Sequence, residues 1–236
     1  ARDRMTPNPA SAMASPRNWL RLDIATTLAS LLLLLAWDFS GLDLPAMRAV
    51  GSSAGFEWQH HWLTQRVAHD GGRLLAWLVL AVLLVNVWRP LWPGPTRAER
   101  VRWLVVTVVC VVVVPAIKQV SRSSCPWDLA EFDGVAQYVS HWTLGRGDGG
   151  PGRCFPSGHA AAAFAYFSGW FALRDEHPRA ARAWLLAVLA VGTLFGVAQY
   201  VRGAHYPSHT LWTAWLCWTL CVVLMPRRRA AATIAP

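Results

Sequence analysis

The sequence predicts an all-α, polytopic membrane protein with six transmembrane helices and short interfacial helices on the outer side. Three observations lead there. Of the 236 residues, 54% are hydrophobic and only 15% are charged, a balance that suits a bilayer better than a water-facing surface. Long apolar runs recur six times along the chain. Arginine supplies almost all of the formal charge of +9, because Lys118 is the only lysine, and it gathers at the ends of those runs. A nucleic-acid binder would concentrate its basic residues in one dense patch, so membrane topology explains this charge better and no nucleic-acid partner is expected.

Residues 1–17 are polar and rich in Pro, Ser and Ala, and read as a disordered cytoplasmic arm in which Met5 is a candidate native start. The first span covers residues 20–37 around a leucine block at 31–35, too long and too weakly punctuated by small residues for a cleaved signal. Residues 38–73 form a polar interlude with Asp38, Asp43, Glu57 and Asp70, and its amphipathic stretch at 57–62 predicts one or two short helices at the membrane face. Trp58, His61, Trp62, His69 and Arg73 of this interlude could rim a lipid headgroup, and interfacial anchoring explains the tryptophans equally well. The second span covers 74–88 and ends at Arg89-Pro90 and the Pro-Gly-Pro at 93–95; Arg97, Arg100 and Arg102 lead into the third, 101–117.

A long polar segment, 118–153, closes with a glycine-rich run at 147–152 and gives way to the fourth span, 158–173. The fifth covers 184–201, and after a tight polar turn at 202–208 the sixth reaches Met225, stopped by Pro226 and the arginines at 227–229. Residues 18–229 thus read as one membrane domain with a short cytoplasmic tail at 230–236. Arginine is dense before the first span, between the second and third, between the fourth and fifth, and after the sixth, so both termini are expected in the cytoplasm. The connections 38–73, 118–157 and 202–208 then share the outer face, where one site can form.

Polar residues concentrate in those connections. Cys154-Phe155-Pro156-Ser157-Gly158-His159 reads as a helix N-terminus suited to an anion, with serine as cap, glycine allowing close approach and His159 in the first turn. Lys118 sits where the third span leaves hydrocarbon, and Arg122 follows at i+4, one face on if the helix continues. His205, His209 and Arg202 occupy the turn before the sixth span. One imidazole can attack phosphorus while a second protonates the leaving oxygen and cations neutralise the remaining oxygens, a scheme that calls for no metal and no cofactor.

Lys118-x6-Cys125-Pro126, Pro156-Ser157-Gly158-His159 and His205-x3-His209 resemble the three-part signature of the type 2 phosphatidate phosphatase superfamily, K-x6-R-P, P-S-G-H and S-R-x5-H-x3-D, in order, spacing and six-span layout. The resemblance implies that Lys118 binds phosphate, that Ser157 and Gly158 hold it through hydroxyl and backbone N–H, that His159 is the general acid, and that His205 is the nucleophile of a phosphohistidine intermediate. Three positions depart from the pattern: Cys125 replaces the first arginine, Ala198-Gln199 replace Ser-Arg, and His209 replaces the aspartate that orients the nucleophile. Arg122 and Arg202, each a turn from a vacated position, are expected to compensate. His209 is expected to accept the N–H of His205, with Asp128, Glu131 or Asp133 as sources of the missing negative charge.

Cys125 and Cys154 bracket one outer loop, where an oxidising compartment permits a disulfide; Cys110, Cys217 and Cys221 fall in apolar runs and read as buried thiols. The expected activity is a metal-independent phosphatase of the bacterial inner membrane, its site on the periplasmic face. Its expected substrate is a membrane lipid phosphate monoester or pyrophosphate of the undecaprenyl pyrophosphate, phosphatidylglycerol phosphate or lipid A type. A lipid-to-lipid phosphotransferase shares the first step, and a non-catalytic lipid-phosphate binding or transport protein is the alternative from another class.

Overall fold

Apolar length and helix-stopping residues translate directly into eight α-helices in the computed structural model, which describes residues 16–91, 94–143 and 145–225. They are α1 (Pro16–Ser40), α2 (Asp43–Arg48), α3 (Gly72–Trp88), α4 (Arg97–Val120), α5 (Gly158–Phe164), α6 (Ser168–Leu173), α7 (Pro178–Val201) and α8 (Pro207–Leu224). Among the described residues only two isolated bridges break this all-helical pattern. The arm expected over 1–17 and the tail over 230–236 lie outside the described residues, save that Pro16 and Arg17 open α1.

Among the described residues, four helices are long and apolar enough to cross a membrane: Trp19–Ser40, Leu63–Trp88, Arg97–Val120 and Pro178–Val201. The second starts earlier than the sequence suggested, because a π-helical segment, Leu63–Gly71, runs straight into α3. Part of the polar interlude is therefore drawn into the bundle, and α2 is what remains of its short surface helices. The expected fourth span is broken into α5, a 3₁₀ turn at Ala165–Phe167, and α6. Its residues are mostly buried, as are Ser208, His209 and Thr213 of α8. Helices wrapped by their neighbours need no continuous apolar surface, which is why these two do not read as lipid-facing.

The core joins α3 to α8 around Trp103, Val114, Phe164, Phe167 and Cys217. Phe164 of α5 needs a glycine opposite: a Cβ on Gly192 of α7 would lie 2.2 Å from its ring. Outward-facing leucines remain bare, with Leu33 73% exposed, as expected for a surface that meets acyl chains. Three polar devices fix the helix ends. Thr96 and Glu99 form a capping box at the start of α4. Arg174 donates to both carboxylate oxygens of buried Asp23 at 2.6 and 2.8 Å and lies over the rings of Trp19 and Phe171, pinning α6 to α1. At the other end, Asp43 accepts from the backbone N–H of Ser208 at 3.1 Å, from its hydroxyl, and from Trp37 Nε1, so α2 holds the N-terminus of α8.

Candidate active site

That second end collects the start of α3, the end of α4, the start of α5, the end of α7 and the turn before α8 around a cavity of about 390 Å³. Its cationic lining is Arg73, Lys118 and Arg202; among the described residues no carboxylate lines it, although Asp70, beside His69, attracts Arg73 and Arg202. Like charges converge on one space only where an anion can neutralise them. Lys118 comes from the last turn of α4; a Cβ placed on Gly158 would lie 3.7 Å from its Cδ, so its stem passes over the first residue of α5. Lys118 makes no hydrogen bond or ion pair among the described residues, which leaves its ammonium free for a ligand. Arg202, only 7% exposed, is anchored by Nε on the Gln59 carbonyl at 3.0 Å and lies 5.9 Å from the Trp127 ring.

His205 lines the same cavity, while His209 stands behind it, fully buried. Their Nδ1 atoms are 3.4 Å apart, and His205 Nδ1 is also 3.5 Å from Cys154 Sγ. Cys154 is joined to Cys125 in a disulfide with a Cα–Cα distance of 5.1 Å, so its sulfur has no proton to give. With its hydrogen on Nδ1, the nitrogen that faces the disulfide sulfur and His209, His205 leaves the Nε2 lone pair for the cavity. Burial, reinforced by Lys118 and by the imidazoles of His209 and His159, pushes the pKa of His205 well below the usual histidine range, so the ring is neutral at pH 7.

His159 lines the cavity from the first turn of α5. Its Nε2 lies 3.1 Å from the His69 carbonyl, which can only accept, so Nε2 carries hydrogen and Nδ1 is the nitrogen open to proton exchange. The ring stacks on His69 at 4.0 Å with 6° between planes, and His69 Nδ1 contacts Asp70 at 2.9 Å.

The remaining candidates are distributed unevenly. Gly158 lines the cavity. Ser157 does not: its hydroxyl caps α5 by accepting from Ala160 N at 3.4 Å, and its carbonyl accepts from Thr213 at 3.0 Å. Because α5 has seven residues, its dipole adds little, and the three cations carry the attraction for an anion. Arg122 also lies elsewhere. α4 ends at Val120, so the residue leaves the helical face of Lys118, donates to the Gly145 carbonyl at 2.6 Å and lines a separate cavity with Arg146 and Phe155. None of the expected carboxylates reaches the histidine pair: Glu131 binds Arg48 at 2.5 Å, Asp128 accepts from Cys125 N at 3.1 Å, and Asp133 ends a 3₁₀ turn with φ 73°.

Sequence reasoning undervalued His69 and Arg73 and treated Gln199 only as a lost arginine, yet all three line the cavity. The i, i+4 spacing of His69 and Arg73 was the one available signal. Cys125, Cys154 and His205 offer ligand atoms within 4.8 Å of one another, but the disulfide consumes both thiolates, and a lone imidazole does not make a metal site. A family model described as the PAP2 superfamily matches residues 100–231, more than half of the chain. No curated protein and no solved structure gave a match.

Proposed function

The chain belongs to the PAP2 superfamily, and we propose on that premise that it is an integral membrane lipid phosphatase cleaving a phosphate monoester or pyrophosphate through a phosphohistidine intermediate. Family membership supports phosphatase chemistry, and the four long apolar helices fit a membrane protein. The observation that carries the finer reading is the cavity itself: three histidines, three cations and no carboxylate among its lining residues, at a helix-bundle end.

In the proposed reaction the phosphoryl group enters between Lys118, Arg202 and Gly158. Neutral His205 attacks phosphorus with its Nε2 lone pair, while His209 accepts the Nδ1 hydrogen bond and steadies the ring. The P–O bond to the lipid breaks, and His159, protonated on Nδ1 once the anion is bound, passes that proton to the leaving oxygen. The same nitrogen then takes a proton from water as it attacks the phosphohistidine, which releases phosphate and restores both rings. No step in this scheme requires a metal ion.

A lipid substrate is supported by a second, almost wholly apolar groove of about 220 Å³ between α3, α5 and α7. It shares Ala76, Ala162 and Tyr166 with the polar cavity, so the two adjoin, one suited to a phosphate head and the other to a hydrocarbon chain. In the same reading α5–α6 and α8 complete six spans, the termini are cytoplasmic, and the site faces the periplasm of a bacterial inner membrane, where a disulfide persists.

The test is phosphate release by the purified full chain from undecaprenyl pyrophosphate, phosphatidylglycerol phosphate and lipid A in micelles, with and without a lipid acceptor. Release without acceptor, abolished in His205→Ala, is the expected result. Transfer seen only with acceptor makes the protein a phosphotransferase, and binding without turnover of any of them removes the enzymatic reading.

A further inference from the structure

The signature that the chain resembles has arginine at two positions where this chain has Cys125 and Gln199. Replacing both would leave Lys118 alone to neutralise a dianion. The cavity holds other donors, however, and one of them is conspicuous by having no partner. Gln199 is 3% exposed, it lines the cavity, and its Nε2 makes no hydrogen bond. A buried amide N–H without an acceptor is rare in a folded protein, and it is tolerated where a ligand supplies the acceptor.

The backbone of Gln199 is also fixed relative to the nucleophile. Its carbonyl accepts from Ala204 N at 2.9 Å and from His205 N at 3.3 Å, so the amide is held in a set relation to the attacking ring. Arg73 lines the same cavity from the start of α3, outside residues 100–231; among the described residues its guanidinium makes no hydrogen bond or salt bridge, and its charge partner is Asp70. Arg202 completes the set with its Nε already anchored.

We propose that Gln199 and Arg73 are phosphate-binding residues, which together with Arg202 stand in for the two absent guanidiniums. The inference rests on the phosphoryl-transfer reading above and extends it. Exchanging arginine for Gln199 keeps an N–H donor at that position and removes one charge; Arg73 returns that charge from another helix. The resulting donors are two guanidiniums, one ammonium and one amide; the nearest carboxylate in charge terms, Asp70, attracts Arg73 and Arg202 from outside the lining. Arg122, the candidate nearest in sequence to the vacated Cys125 position, takes no part because it faces the separate cavity.

The experiment titrates inorganic phosphate into the full chain in detergent micelles by calorimetry, in a His205→Ala background so that no turnover interferes. Gln199→Leu and Arg73→Ala are each expected to weaken phosphate binding about tenfold or more, the usual loss for a hydrogen bond to a charged group. Gln199→Arg and Arg73→Lys retain binding within about threefold, and Arg122→Ala binds like the parent. The melting temperature of Gln199→Leu does not fall, since the change removes an unpaired amide; a purely structural amide would lower it. In the active background, the two weakening variants raise KM with lipid phosphate.

Unchanged phosphate binding in Gln199→Leu overturns the proposal by showing that the amide serves only solvent. So does a loss in Arg122→Ala with none in Arg73→Ala. A parent protein that binds no phosphate overturns this inference together with the anion-site reading. Normal binding with the expected variant losses, but no phosphate released from any lipid by the wild type, upholds the binding set while rejecting the phosphatase.

Discussion

At the scale of single residues, burial sets the chemistry of His205. An imidazole kept from water and set beside Lys118 resists protonation, so the ring of His205 is neutral, with a nitrogen lone pair available, at neutral pH. This has a stability consequence with a definite sign. Because the folded-state pKa is depressed below the unfolded value of 6.5, the unfolded chain binds more protons as pH falls through that value, and the folded state is weakened. The melting temperature is therefore expected to decline as pH drops below about 6.5, and a His205→Asn variant should show a shallower decline, measured by thermal unfolding across that range. At His159 the expected outcome is kinetic. His159→Ala should lower turnover by roughly 10²- to 10⁴-fold, with phosphate binding by Lys118 retained, as steady-state rates and calorimetry would record.

The motif spacing identified His205, His159 and Lys118 because these lie in short turns beside apolar runs, where local sequence decides position. Arg122 leaves the helical face of Lys118 because α4 stops at Val120 and the chain turns extended at Ser121, an end that the i, i+4 spacing does not reveal. Gln199 carried no signal of its own. An amide becomes informative only when it is seen buried and without a partner at the wall of a cavity.

At the scale of elements, the site is held by ties between segments far apart in sequence. The disulfide Cys125–Cys154 closes a loop across a sequence separation of 29 residues and fastens the end of the first motif to the elbow before α5. Chain-entropy reasoning gives such a loop about 3–4 kcal/mol. Reduction, or a Cys125→Ser/Cys154→Ser double variant, should lower the melting temperature and slow turnover together, because Cys154 Sγ also touches His205. At the opposite end, Arg174→Ala should cost about 3–5 kcal/mol by leaving Asp23 charged and buried, while Asp23→Asn/Arg174→Met should cost much less. Denaturation of the three proteins in the same detergent would compare them. The basic run ends of the sequence do not reveal this pairing, since a partner 151 residues away is brought near only by packing.

At the scale of the whole molecule, the polar cavity and the apolar groove adjoin at Ala76, Ala162 and Tyr166, as the proposed lipid substrate requires. Filling the groove with Val191→Trp is expected to raise KM about tenfold or more for long-chain lipid phosphates and to leave a short, water-soluble phosphate ester unaffected. Equal effects on both substrates would mean that the groove does not take the chain.

The sequence by itself determined the helical membrane character, the common end at which its three motifs gather, and the pair of catalytic candidates. Apolar length, arginine placement and motif spacing are local properties that a linear chain records. Only the tertiary structure decided which polar groups share the cavity. Arg73 from α3 and Gln199 from α7 face the same space as Lys118, Arg122 faces another, and Ser157 is committed to its helix. The physical reason is that a side chain's surroundings depend on where helices end and how they cross, and those follow from packing among distant segments.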